Sequence, residues 1–314
     1  MIRYMMKRCI MIIPIVLGAV FIVFVIIYIL PASNISGMPS YGGGDGLDAV
    51  FSALNAGTNI WTQYLRYCYN VFTRFDFGLL NSFFIAYRVG LTLVLLALGI
   101  SSALIIGVPA GIYTALHHDR WQDRTIMSLV LLFSSIPSFC IALILCIIFV
   151  KILGILPLIG VSSPLHFIMP TITLAAGGAA MITRITRASV LDVLSQSYIA
   201  ALRAKGLKER AVVYIHVLRN ALIPVVSQLS TLAVQILFNS FVVEYFFNIR
   251  GIGSLLLYSV GARNHMVILC SSVVFATILS IVFIVSDLLC TLVDPRIRLR
   301  YVKTTRVKKK ESAG

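Results

Sequence analysis

Few side chains in this chain have the types and spacing that could do chemistry. His117, His118 and Asp119 are adjacent donors that could hold a divalent cation, and a solvated turn is the simpler account of them. Gly44-Asp-Gly46 is too short and too poor in acids for a calcium loop. Of the six cysteines, Cys9, Cys140, Cys146, Cys270 and Cys290 fall in or at the ends of apolar runs, and Cys68 stands alone in a loop. No C-x-x-C occurs, so the thiols read as small packing residues. H-E-x-x-H is absent, and so is G-x-x-x-x-G-K-[ST]. No cofactor is therefore expected in this chain, which cannot cradle ATP phosphates itself, and the energy for a pump would have to come from another polypeptide. Lys151, Glu244 and Asp287 sit near the ends of apolar runs whose middles carry no charge. An ion-driven carrier would need midplane carboxylates or broken helices, and a voltage sensor an arginine ladder. What remains is a basic, helix-prone segment from Tyr198 to Pro224 with a single glycine, Gly206, in its middle.

The elements that must position that segment are membrane helices. The chain is 59% apolar and only 12% charged, against ~25% charged residues in soluble domains. A helix needs about 20 mostly apolar residues to cross ~30 Å of hydrocarbon. Six runs qualify: Cys9–Leu30, Leu91–Leu116, Ile126–Leu153, Phe167–Ile182, Val225–Val243 and Val267–Leu289. No A-x-A-like cleavage site follows the first, which reads as a retained helix. The fold class is all-α, a polytopic bundle of six transmembrane helices.

Orientation follows from the cations. Twenty of the 26 Lys and Arg residues lie before run one, between runs two and three, between runs four and five, or after run six. Arg66, Arg74, Arg88, Lys151, Arg250 and Arg263 lie on the other side. The positive-inside rule then places both termini and the long basic loop in the cytoplasm. The net charge of +15 reflects this asymmetry. Because the cations abut spans, the partners they suggest are membrane lipids and not nucleic acid.

Within the basic segment, Leu191, Leu194, Tyr198 and Leu202 recur at helical spacing and predict a first helix that ends at Gly206. Lys208-Glu-Arg opens a second, with Val212, Ile215 and Leu218 on one side, and Asn220 and Pro224 close it before span five. Two amphipathic helices lying on the inner leaflet would satisfy the same spacing.

Tyr198-Ile-Ala-Ala-Leu-Arg-Ala-Lys-Gly-Leu followed by Leu218-Arg-Asn-Ala-Leu-Ile-Pro resembles the EAA loop of binding-protein-dependent ABC importer permeases. The likeness is greatest to the peptide/nickel class, and there to the B-type permease subunit of dipeptide and oligopeptide transporters. Gly107-Val-Pro-Ala-Gly111, Ser135-Ile-Pro-Ser-Phe139, Arg184-Ile-Thr-Arg-Ala-Ser189, Gly251-Ile-Gly253 and Asp294-Pro-Arg-Ile-Arg298 fit the same family in the same order. The chain departs from it at Ala200, where the general motif has glutamate, and at Leu202, where it has alanine. Arg250 stands where proline is usual, and Pro31-Ala-Ser-Asn34 where Gly-Asp-Pro is usual.

The resemblance implies a type I ABC importer fold. Residues 1–30 would form an N-terminal helix, 31–90 an extracytoplasmic loop, 91–290 the transmembrane domain with a coupling loop at 183–224, and 291–314 a basic cytosolic tail. The first loop helix would insert into a cleft on an ATPase. Ala200, Ala201, Ala204 and Gly206 would be its close-packing face, Arg203 and Lys205 its polar contacts with the ATPase or with lipid headgroups, and Asn220 and Pro224 its flank. Implied partners are a second, homologous permease subunit, two cytosolic ABC ATPase subunits and an extracytoplasmic solute-binding protein, in a prokaryotic plasma membrane. The implied cargo is a di- or oligopeptide, with nickel or a metal chelate as the alternative. A membrane scaffold for a cytosolic partner is the reading of another class, and no substrate-contacting residue is assigned.

Three further features carry expectations. The aromatic stretch Phe51–Phe77 suits either a cap over a pore or an interfacial helix. Ala175-Ala-Gly-Gly-Ala-Ala180 suits close helix contact, with pore lining as the minor reading. Pro109 and Pro137 would interrupt spans two and three.

Overall fold

The computed structural model describes residues 2–29, 61, 62, 64, 65, 67–69, 82–262 and 264–293, and every described element is helical. The readings of Pro31–Asn34, Gly44–Gly46 and Asp294–Arg298, and of the basic tail over 294–314, lie outside the described residues. In chain order the helices are α1 (Ile2–Ile29), α2 (Ser82–Leu116), α3 (Trp121–Ser135) and α4 (Ser138–Ile152), whose second half is a π-helix. After a 3₁₀ turn at Pro164–Phe167 come α5 (Ile168–Leu194), α6 (Ser197–Ala204) and α7 (Glu209–Ser227). The last three are α8 (Leu229–Phe246), α9 (Ile252–Gly261) and α10 (His265–Val293).

The two prolines expected to interrupt spans behave differently. Pro109 lies inside an unbroken α2. Pro137 separates α3 from α4, and the two helices meet at 105°. Ile136, the residue before it, is extended (φ −82°, ψ 126°), as a pre-proline residue is sterically driven to be. The expected straight span Ile126–Leu153 is therefore two half-helices. Each half is 15 residues long, or about 22 Å, too short to cross alone.

The centre of the bundle is α5, packed lengthwise on α2 and backed by α8. Gly107 and Gly111, four residues apart, let the backbones meet. A Cβ on Gly107 would lie 2.8 Å from Ile182, and one on Gly111 2.5 Å from Thr186. This is the small-xxx-small seam that membrane helices use in place of a hydrophobic driving force. The Ala/Gly stretch of α5 serves the same purpose: a Cβ on Gly178 would lie 2.8 Å from Leu232. Ala175, Ala179 and Ala180 are buried, which favours the close-contact reading. Leu95, Met169, Leu174, Ile182, Leu232 and Ile236 complete this core.

A second core joins α1 to α10 through Val16, Val20, Phe24, Leu269 and Val273. The helical residues at 61–69 pack there. The Tyr64 hydroxyl donates to the Leu17 carbonyl at 2.8 Å, and Trp61 stacks on Phe21 with ring centroids 5.1 Å apart. Cys68, expected to be exposed in a loop, is buried in this cluster. At the far end of α2 a third core gathers Ala115, Val190, Val193, Ile199, Val212, Val217 and Ala221. Many apolar side chains face outward, Ile105 (71% exposed) among them, as suits a lipid-facing surface.

Candidate functional site

The third core is the floor on which the basic segment stands. α5 does not stop at the membrane boundary expected near Ile182 but runs on to Leu194. Leu191 and Leu194 therefore belong to the end of α5, and only Tyr198 and Leu202 of the expected stripe belong to α6. Gln196, extended at φ −75° and ψ 142°, makes the bend between the two.

α6 presents two unlike faces. Ile199 is fully buried against Val190, Val193, Val212, Val217 and Ala221. Tyr198 and Leu202 pack half-buried beside it. Ala200, Ala201, Arg203, Ala204, Lys205 and Gly206 are all exposed. The outer face is thus nearly smooth, three methyl groups and a bare backbone with a cation at each edge.

The C-terminus of α6 closes as the sequence suggests. Gly206 has φ +80°, the left-handed region that glycine enters without a Cβ penalty. The Leu207 N–H donates to the Leu202 carbonyl at 3.4 Å and the Gly206 N–H to the Arg203 carbonyl at 2.9 Å, a Schellman closure. Arg203, expected as an outward contact, is already engaged. Its guanidinium grips Glu209 across the turn at 2.6 and 3.1 Å. That hydrogen-bonded partner raises the already high pKa of Arg203. Both groups are about half exposed, so the pair sets geometry and contributes only tenths of a kcal/mol.

Asn220 is a brace. Its side-chain amide donates to the Tyr198 hydroxyl at 3.0 Å, tying α6 to α7. Pro224 is exposed inside α7, which runs on to Ser227 and does not end at the proline. The expected face of α7 is also revised. Val212–Val217 is a π-helix, and its wider turn puts Val212, Val213 and Val217 inward. Ile215, expected to pack, is 61% exposed.

One feature here left no sequence signal. Asp123 at the start of α3, 3% exposed, accepts two hydrogen bonds from Arg187 of α5, both 2.7 Å. This planar fork pins α3 to α5 next to α6. The histidine pair does not assemble a metal site. His117 Nδ1 donates to the Tyr113 carbonyl at 2.9 Å, and His118 faces Asp119 at 2.9 Å. Among the described residues no three His, Cys, Asp or Glu side chains converge.

The arrangement presents an exposed, small-residue ridge backed by α5, which runs into the bundle. Residues 107–299 match the family model described as binding-protein-dependent transport system inner membrane component. The chain is 34% identical over 313 residues to the dipeptide transport system permease protein DppB of Bacillus subtilis (strain 168), covering 95% of this chain and 99% of that one. It is 35% identical over 309 residues to the glutathione transport system permease protein GsiC of Escherichia coli (strain K12), covering 96% and 100%. Among solved structures, an inward-facing MetNI methionine ABC transporter superposes with a TM-score of 0.57 at 18% identity, over 68% of this chain and 97% of that one. That last likeness concerns the fold.

Proposed function

The chain belongs to the family of binding-protein-dependent transport system inner membrane components, and from that membership we propose that it imports short peptides, with α6 as the lever its ATPase pushes. It is the permease subunit of an ATP-driven importer, a multi-pass protein of the inner membrane whose family works with ATPase and binding-protein partners. The relatives' names point to dipeptide and glutathione cargo, and a di- or oligopeptide is the cargo we infer. The assembly we infer pairs this chain with a second, similar permease subunit above two ATPase subunits. The cation asymmetry supports cytoplasmic termini and a cytoplasmic α6.

The observation that carries the coupling role is the division of α6, with Ile199 wholly buried and Ala200, Ala201, Ala204 and Gly206 exposed. A buried anchor transmits force, and small outward residues allow close backbone approach. An ATPase that closes below can then move α6, the third core and α5 as one body.

The test is bulk on the exposed face. Ala201→Trp and Gly206→Trp should abolish uptake while binding-protein docking persists, and the ATPase should dissociate from the purified complex. Normal uptake in both variants would end the coupling assignment. Uptake by membrane vesicles should follow internal ATP and be indifferent to ionophores.

A further inference from the structure

At the end of the bundle opposite α6 lies a buried polar cluster with no part in the coupling surface. From Ala115, in the floor beneath α6, to Thr92 is 23 residues of α2, roughly 35 Å of helix. Glu244, near the end of α8, is wholly buried, as are Thr92 and Ser254. The Thr92 hydroxyl donates to Glu244 Oε1 at 2.7 Å and accepts from the Ile252 N–H at 3.0 Å. Glu244 Oε2 accepts from the Ser254 N–H at 2.9 Å. Arg88 donates to the Gly251 carbonyl at 3.2 Å and lies over the Phe84 ring at 4.4 Å.

The chemistry of this cluster is that of a helix cap supplied from elsewhere. The first N–H groups of α9 have no partner within their own helix. The residue at the cap position is Gly251, which has no side chain to offer. Thr92 of α2 and Glu244 of α8 satisfy those donors instead. Gly251 is required because a Cβ there would overlap the Glu244 carboxylate. A desolvated carboxylate is costly unless its oxygens are hydrogen-bonded, so the arrangement persists only while all three elements stay in place.

We propose that Thr92 and Glu244 are positioning residues that lock α9 to α2 and α8, so that the far end of the pore moves as one body with the helices that α6 drives. The proposal rests on the importer reading. An ATP-driven stroke begun at α6 must reach the opposite end undiminished, and α2 is the continuous rod between them. Without the lock, α9 is held by packing and by the Arg88–Gly251 hydrogen bond, and the stroke dissipates there.

The experiment uses the full complex with its ATPases and binding protein. Thr92→Val keeps volume and removes the hydroxyl, Thr92→Ser keeps the hydroxyl, and Glu244→Gln cannot accept from both donors. Measured are the yield of assembled complex, basal ATP hydrolysis, its stimulation by loaded binding protein, and peptide uptake. Expected is normal assembly and basal hydrolysis in Thr92→Val and Glu244→Gln, with stimulation and uptake each down about tenfold. Thr92→Ser should stay within about twofold of the wild type. Wild-type uptake in Thr92→Val, or an uptake loss that only tracks lost assembly, would overturn the proposal. A wild-type complex without an ATPase would instead overturn the importer reading itself.

Discussion

At the scale of single residues, the side chains with the clearest duties are those whose partners are both specific and buried. Arg187 and Asp123 form a forked pair that is 22% and 4% exposed at the side chains. Removing the cation strands a carboxylate in a desolvated place, at a cost of about 3 kcal/mol. Arg187→Ala should therefore lower the melting temperature of the purified protein sharply. Arg187→Lys should recover only part of it, because an ammonium cannot match the two-pronged geometry. Full stability of Arg187→Ala in a detergent melting assay would contradict this account. Gly206 fails more gently. With φ +80° and nothing within 4 Å of a built Cβ, Gly206→Ala meets only backbone strain, about 1–2 kcal/mol confined to one turn. That variant should keep its overall melting temperature and lose coupling efficiency by a few-fold, read as peptide taken up per ATP hydrolysed.

At the scale of elements, a helix pattern read at 3.6 residues per turn is only as good as the turn it assumes. The reading of Val212, Ile215 and Leu218 as one face fails because Val212–Val217 is wound as a π-helix. Val217→Ala should accordingly cost on the order of 2 kcal/mol, and Ile215→Ala almost nothing. Equal effects in a thermal-shift comparison would mean the α-helical register holds after all. Other elements were legible because their causes are local. Gly206 marks a helix end, Pro137 a break, and Ala175–Ala180 a close contact, and each depends on a few neighbouring residues. The Asp123–Arg187 and Thr92–Glu244 pairs were not legible, since their partners lie 64 and 152 residues apart and nothing local announces the meeting. The same holds for α6. Its residues and its closing glycine could be picked out, but the identity of its buried anchor, Ile199, needed the third core around it. The 105° angle at Pro137 was likewise hidden, because a proline says that a helix is disturbed and not by how much.

At the scale of the whole molecule, the bundle has one end rich in cations and another that holds the Glu244 cluster, joined by the α2–α5 seam. Orientation is open to a direct check in a cysteine-free background. Lys205→Cys should react with an impermeant maleimide only after permeabilisation, and Lys151→Cys should react in intact cells. Labelling of Lys205→Cys from outside would invert the topology and remove α6 from reach of any cytoplasmic ATPase. The elbow between α3 and α4 sets a further condition on what surrounds this chain. Ser134 and Ser135 turn their hydroxyls back onto the Leu131 carbonyl at 2.9 Å each, and the Ile136 N–H still reaches the Leu132 carbonyl at 3.2 Å, but Pro137 has no N–H to donate and α4 must start a new ladder behind it. Lipid tails offer nothing to the first N–H groups of a helix, so the start of α4 should border solvent or a neighbouring polypeptide. The bend thus calls for a polar neighbour at that corner, whether water or protein.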